Sequence, residues 1–170
     1  FGLGGAGNAQ FTIPLALPPE AGGFAPRLSL AYDSSGIAGH IGVGWQIAGI
    51  SAISRCPRNL LQDSNRSPVL GTSDDRLCLD GVRLVPFAGP YWGSTTSYKT
   101  ENESFASILS VVDKGLSGFV VTSRDGVISQ YGARSDSIRT KAGLPSPLSW
   151  HLSRVSDRYG NYYTISYEAD

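Results

Sequence analysis

Two histidines, two cysteines, a cluster of aspartates and a pair of loop aromatics are the residues with which this chain could do chemistry. Imidazole titrates near neutrality, so His40 and His151 are each of the type that serves as a general base. Neither stands in a nucleophile signature: there is no G-x-S-x-G, and Cys56-Pro57 is not a thiol-protease context. Base and nucleophile can meet from distant positions, so a hydrolase would need a pocket that brings His40 or His151 within hydrogen-bond reach of a nucleophile. No such constellation is visible, and the expectation is a chain that is not an enzyme. Asp74, Asp75 and Asp80 lie close together, but their spacing is not that of a calcium loop. They read as turn and solvated aspartates. With no C-x-x-C pair and no histidine cluster, neither metal nor cofactor is expected. Cys56 and Cys78 could form a bridge worth about 3 kcal/mol in the loop-entropy model. Two buried thiols are the other reading, and the sequence leaves both open.

Binding is the second kind of chemistry. Tyr91 and Trp92 stand at the tip of a loop, residues 88–97, and aromatic faces stack on sugar rings or fill partner pockets. The plainer reading folds them back on the sheet. Arg55, Arg58, Arg76 and Arg83 read as solvated or paired with Asp75 and Asp80. Gly2-x-Gly4-x-x-Gly7 has a dinucleotide-binding spacing, but no strand precedes it and no helix follows, so it reads as a flexible leader. Fourteen basic residues balance 14 acidic ones, which argues against a nucleic-acid or anionic-membrane surface. No apolar run reaches the ~20 residues of a spanning helix. The chain opens without Met and without a basic leader, which suggests an internal piece of a longer protein.

The elements that must position these residues read as strands. Phe11, Ile13, Leu15 and Leu17 fall on one face of a strand, as do Leu28, Leu30 and Tyr32 after a proline- and glycine-rich joint at 18–23. In Gly39-x-x-Gly42-x-Gly44-Trp45 the glycines let backbone pass close to a large aromatic, and Trp45 is expected in the core. Gly49 is expected to mark a bulge within a strand over 45–55, and one helical turn is expected at Asn59 to Gln62. Asp80-Gly81 suits a type I′ hairpin turn, because both positions need positive φ. Asp125-Gly126 reads as a second tight turn. Leu148, Trp150 and Leu152 share one strand face, with Ser149, His151 and Ser153 on the other. Asp157, Gly160 and Asn161 turn the chain into a final strand. Nowhere do apolar residues keep a helical period for three turns, so the expected class is all-β, built of short antiparallel strands and hairpins.

The order of these motifs resembles a known family. The run IPLALPP…GGF-x-P-x-LSLAY…GVGW-x-I-x-GIS-x-ISR at residues 13–55, then Arg55-Cys56-Pro57-Arg58, Asp75-Arg76-Leu77-Cys78-Leu79-Asp80-Gly81-Val82-Arg83-Leu84 and Ser156-Asp157-Arg158-Tyr159-Gly160-Asn161-Tyr162, is similar to the N-terminal region of SpvB-type virulence proteins. The B components of insecticidal Tc toxin complexes, related to Rhs proteins, begin in the same way. The last unit, residues 148–170, resembles a tyrosine–aspartate (YD) repeat of the Rhs type. The resemblance implies a leader over 1–10, an SpvB-like β domain over 11–147 and a first YD-type hairpin over 148–170. It implies a secreted, non-catalytic segment of a larger β-sheet shell that encloses or presents a toxic effector domain. The implied partners are the remainder of the same polypeptide and its C-terminal effector domain or C-type subunit. In SpvB-type proteins the associated activity, ADP-ribosylation of actin, belongs to a separate C-terminal domain whose signature is not present here. The competing function is a recognition module that binds glycan or protein, such as a host surface receptor, through Tyr91, Trp92 and the loop at residues 36–44.

Overall fold

The alternating apolar residues build two separate antiparallel sheets. The computed structural model describes all residues except 1, 6, 18–23, 37, 40, 169 and 170; the joint at 18–23 and His40 lie outside the described residues. Two compact units divide at Ile50, Phe1–Ile50 and Ser51–Asp170. This cut differs from the boundaries at residues 10 and 147 expected from sequence, because residues 148–167 pair with strands of the second unit.

The first unit holds β1 (Gly2–Leu3), β2 (Ala9–Pro14), β3 (Ser29–Asp33), a small hairpin of β4 (Ala38–Gly39) and β5 (Gly42–Val43), and β6 (Trp45–Ala48). Its main sheet runs β1-β2-β3-β6. Phe11 stands opposite Tyr32, which stands opposite Trp45; Ile13, Leu30 and Ile47 line up in the same way. Cross-strand partners share a face, so these six side chains form one apolar side. The other side carries Gln10, Thr12, Asp33, Ser29 and Gln46. Asp33 ties that side together, accepting from Asn8 Nδ2 at 2.6 Å and from the Ser35 hydroxyl at 2.6 Å and amide at 2.8 Å. The Ser35 hydroxyl, then Asn8, hold its carboxyl well below the usual range. Gly44 is needed where it stands: with φ at 77°, a Cβ there would lie 2.5 Å from Asp33 O and 2.8 Å from Tyr32 Cε2. The large aromatic that the glycine run passes is therefore Tyr32. Trp45 does not enter the core. It is half-buried, its ring 5.2 Å from that of Tyr32, on one face of the single main sheet of its own unit. Nor is Gly49 a bulge: it ends β6, and a Cβ there would lie 2.0 Å from Arg27 O, so the stretch 45–55 breaks into strands of different sheets.

The second unit begins with β7 (Ala52–Cys56) and the single turn α1 (Leu60–Asp63), capped by Asn59, whose Oδ1 accepts the Gln62 N–H at 2.8 Å. A meander follows: β8 (Arg76–Leu79), β9 (Val82–Ala88), β10 (Ser97–Thr100), β11 (Ser107–Asp113), β12 (Leu116–Thr122) and β13 (Ile128–Tyr131). After the short β14 (Ile138–Arg139), the long β15 (Ser149–Ser156) returns and β16 (Tyr162–Thr164) ends the unit. The turn Asp80-Gly81 has φ values of 49° and 83°, and Lys114-Gly115 has 49° and 79°, as a two-residue hairpin with right-handed twist requires. The tight turn expected at Asp125-Gly126 forms: the Gly126 amide donates to Ser123 O at 2.9 Å with Gly126 φ at 81°, and the Ser123 amide closes the three-residue loop on Val127 O at 2.9 Å.

β15 closes the meander into an eight-stranded barrel. Trp150 pairs with Ile53 of β7, and Leu152 with Tyr131 of β13. Closure removes free strand edges from the ring. Ser153 is the extra residue where the register with β13 shifts; it is 1% exposed and donates to Gln130 O at 2.9 Å. This bulge re-phases the strand, so that Ser153 and Val155 are buried as well as Trp150 and Leu152; Ser149, ahead of the bulge, is buried too, against the expected alternation. Among the described residues, the buried apolar side chains all lie in this unit, Ile53, Leu77, Leu84, Tyr98 and Ile108 among them. A chain of edge-on rings crosses the core from Tyr98 to Phe119 at 6.2 Å and from Phe119 to Trp150 at 5.1 Å. Burial, reinforced by the neighbouring Tyr91, pushes the Tyr98 hydroxyl up to about 12.

Candidate functional site

Two arginine–aspartate clusters flank β8 and β9. In the first, Arg55 from β7 meets Asp75 at 3.1 Å, with side-chain exposures of 5% and 2%. Arg55 also donates to Pro147 O at 2.7 Å, Thr72 O at 2.6 Å and Ser146 Oγ at 2.6 Å. Asp75 accepts the amides of Leu70 at 2.9 Å and Gly71 at 2.7 Å. The pair thus clasps two loops onto the barrel. Asp75 is a turn aspartate, as its neighbours suggest, but it is deeply buried and not solvated. Asp80 serves a different end: it accepts from Ser51 Oγ at 2.6 Å and the Ala52 amide at 2.9 Å, and so is not the partner of an arginine.

The second cluster centres on Asp63, which sequence reasoning missed. Its carboxylate takes Arg76 Nε at 2.8 Å and Arg83 Nη2 at 2.6 Å, and is itself 3% exposed. The only sequence signal for it is its place four residues after Asn59, whose amide donates back to it at 3.0 Å. Burial pushes the Asp63 carboxyl up, but the hydrogen bonds from Arg83, the Asn59 amide and Arg76 outweigh it and lower it to about 2. A carboxylate whose pKa falls on folding stabilises the fold above its unfolded value of about 3.9, and that contribution is lost as pH falls through the folded value. Asp63→Asn should therefore flatten the loss of stability measured by urea unfolding between pH 4 and pH 2 (about the window set by those two values). An acid limb identical to that of the unsubstituted chain would contradict the assignment.

Asp63, Arg76 and Arg83 line an open pocket with Gln62, Val85, Pro86 and Tyr91. Tyr91 is anchored at its rear: its hydroxyl accepts the Leu77 N–H at 2.8 Å and donates to Leu84 O at 3.1 Å. Arg76 lies over its ring at 5.0 Å. Trp92 donates from Nε1 to Ser73 O at 2.7 Å, and the Arg55 guanidinium covers its ring at 4.1 Å. Both aromatics are half-buried and folded back on the barrel, so neither presents a free stacking face at a loop tip.

The remaining sequence candidates are dispersed. Cys56 and Cys78 are joined by a disulfide across β7 and β8, with Cα atoms 5.9 Å apart. His151 Nε2 is 3.1 Å from Ser149 Oγ, which meets the distance asked of a base and a nucleophile. Both sit within the β7–β15 pairing, and neither lines the Asp63 pocket or the smaller cavity at the β11–β13 rim. Asp157 organises the last hairpin, accepting the amides of Tyr159 at 2.8 Å and Asn161 at 2.9 Å and Asn161 Nδ2 at 2.8 Å. Gly160 supplies a φ of 89° there. Gly42 likewise has a positive φ, 136°, at the head of its loop. Among the described residues no group of three metal-ligating side chains comes together, and no helix is long and apolar enough to cross a membrane.

Comparison with known proteins places this arrangement. A family model described as Salmonella virulence plasmid 65kDa B protein matches residues 3–87. The mono(ADP-ribosyl)transferase SpvB of Salmonella typhimurium is 40% identical over 79 residues, which is 46% of this chain and 12% of that protein. The Salmonella enteritidis protein of the same name is 42% identical over the same length. The match therefore spans 12% of the length of these relatives. Among solved structures, the N-terminal domain of effector protein SpvB from Salmonella typhimurium strain LT2 superposes with a TM-score of 0.72 at 24% identity, covering 93% of this chain and 54% of that one. The TcdB2-TccC3 structure gives 0.73 at 20% identity, covering 96% of this chain and 9% of that one. At such identities the structural likeness is one of fold.

Proposed function

Because this chain belongs to the family of the Salmonella virulence plasmid 65kDa B protein, SpvB, we propose that it is a non-catalytic structural segment of a secreted toxin, part of a β-sheet shell that encloses or presents an effector. One observation carries the reading. Half of the apolar side of β2, β3 and β6 stands open: Phe11 is 41%, Ile13 39% and Ile47 45% exposed, while Leu30, Tyr32 and Trp45 are half-buried. A sheet that faces water on both sides carries polar residues on both, whereas a contiguous apolar side calls for a second layer. The covering layer is the remainder of the toxin polypeptide, and the enclosed partner is its effector domain or C-type subunit. The far greater length of the relatives supports this. The domain reading that goes with it keeps residues 148–170 as the start of YD-type hairpins, continuing from β15 and β16.

Hydrogen exchange tests the proposal. In the intact native polypeptide the amides of β2, β3 and β6 should exchange about tenfold or more slowly than in the 170-residue chain alone, because covered strands open less often. Equal exchange in the two, or a native polypeptide no longer than this chain, would overturn it.

A further inference from the structure

The pocket between α1, β8 and β9 is a site that the shell role does not use. Its volume is about 450 Å³, within the ~300–1,000 Å³ of small-molecule sites. Two guanidiniums and one carboxylate line it, so its walls carry one net positive charge. Arg83 meets Asp63 through Nη2 alone, and Arg76 uses Nε and Nη1. An arginine has five N–H donors in a fixed fork, which leaves Arg83 Nε and Nη1 and Arg76 Nη2 for a second acceptor. None of these atoms is a buried donor lacking a partner. Val85, 45% exposed, stands two residues from Arg83 on the same face of β9 and with Pro86 supplies the apolar lining. Gln62, held by Asn59 and Glu101, closes one flank.

We propose that this pocket binds a monocarboxylate carried on a ring-sized body, the class to which sugar acids belong. The carboxylate takes one remaining N–H from each arginine, Arg76 Nη2 on one oxygen and Arg83 Nη1 on the other, as single charge-assisted hydrogen bonds. The ring lies on Val85 and Pro86. A single excess charge suits a monoanion, since a dianion would also face the ionised Asp63. The inference rests on the barrel alone and stands whether or not the chain is part of a shell.

The test is titration of the 170-residue chain with glucuronate, followed by the Nε–Hε NMR signals of Arg76 and Arg83, with glucose and inorganic phosphate in parallel. Glucuronate should shift both signals saturably, glucose should not, and phosphate should bind more weakly. Val85→Glu plants a tethered carboxylate at the exposed rim without touching the ion cluster. It should weaken glucuronate by about tenfold or more, the worth of one charge-assisted hydrogen bond. Arg83→Gln should do the same where it folds. No saturable shift, an equal response to glucose or phosphate, or an unchanged affinity in Val85→Glu would overturn the proposal.

Discussion

Asp75→Ala is expected to destabilise the barrel by about 3–5 kcal/mol, the usual cost of removing one partner from a buried ion pair. The substitution leaves Arg55, 5% exposed, with its charge uncompensated. It also strips the amides of Leu70 and Gly71 of their acceptor; the Gly71 amide is buried, and an orphaned buried donor costs about 1–3 kcal/mol. The effects overlap, so they do not simply add. Asp75→Asn keeps the shape but turns an amide toward two donors, and should fall only a little short of alanine. The combined replacement Arg55→Met with Asp75→Leu should recover a large part of the loss, because desolvating the ions is a cost that the apolar pair avoids. Urea unfolding of the four proteins measures all of this. A loss below about 1 kcal/mol for Asp75→Ala would place the pair in the class of solvated surface bridges and refute the clasp.

The second large effect separates the volume of Trp150 from its polarity. Trp150 is 3% exposed, packs edge-on to Phe119, and its Nε1 is buried with no hydrogen-bond partner among the described residues. Trp150→Ala opens a cavity at the seam between β7 and β15 and should cost about 3–5 kcal/mol. Trp150→Phe keeps most of the packing and removes an unsatisfied donor. It should cost about 1.5 kcal/mol or less, the range of volume-preserving swaps. Equal losses for the two, by thermal or urea unfolding, would mean that the indole nitrogen has a partner and is needed.

What could be read from the sequence was what neighbouring residues decide. The all-β class, the Asp80-Gly81 turn, the turn capped by Asn59 and the Asp157 hairpin follow from local alternation and backbone preference. Lys114-Gly115 carried the same kind of signal and was passed over. The barrel itself was not legible, because nothing near Ile53 or Trp150 announces that they pair. The same limit explains Trp45: aromatic type favours burial, but whether a second layer exists to bury it is a property of the whole. The Asp63 pocket was hidden for a related reason. Arg76 and Arg83 looked paired to the nearest aspartates in sequence, while the carboxylate that holds them comes from a helical turn earlier in the chain.

The seam of the barrel has a consequence in time. β7 is made early in its unit and waits for β15 until the whole meander has left the ribosome. Bringing such distant partners together costs chain entropy before any contact repays it, so closure of this seam is expected to be slow. During that wait Ile53 and its neighbours form an open strand in a nascent chain, the form most prone to pair with the wrong molecule. Synthesis halted before Ser149 should therefore release a chain that proteases cut readily, and a few more codons should yield a resistant one.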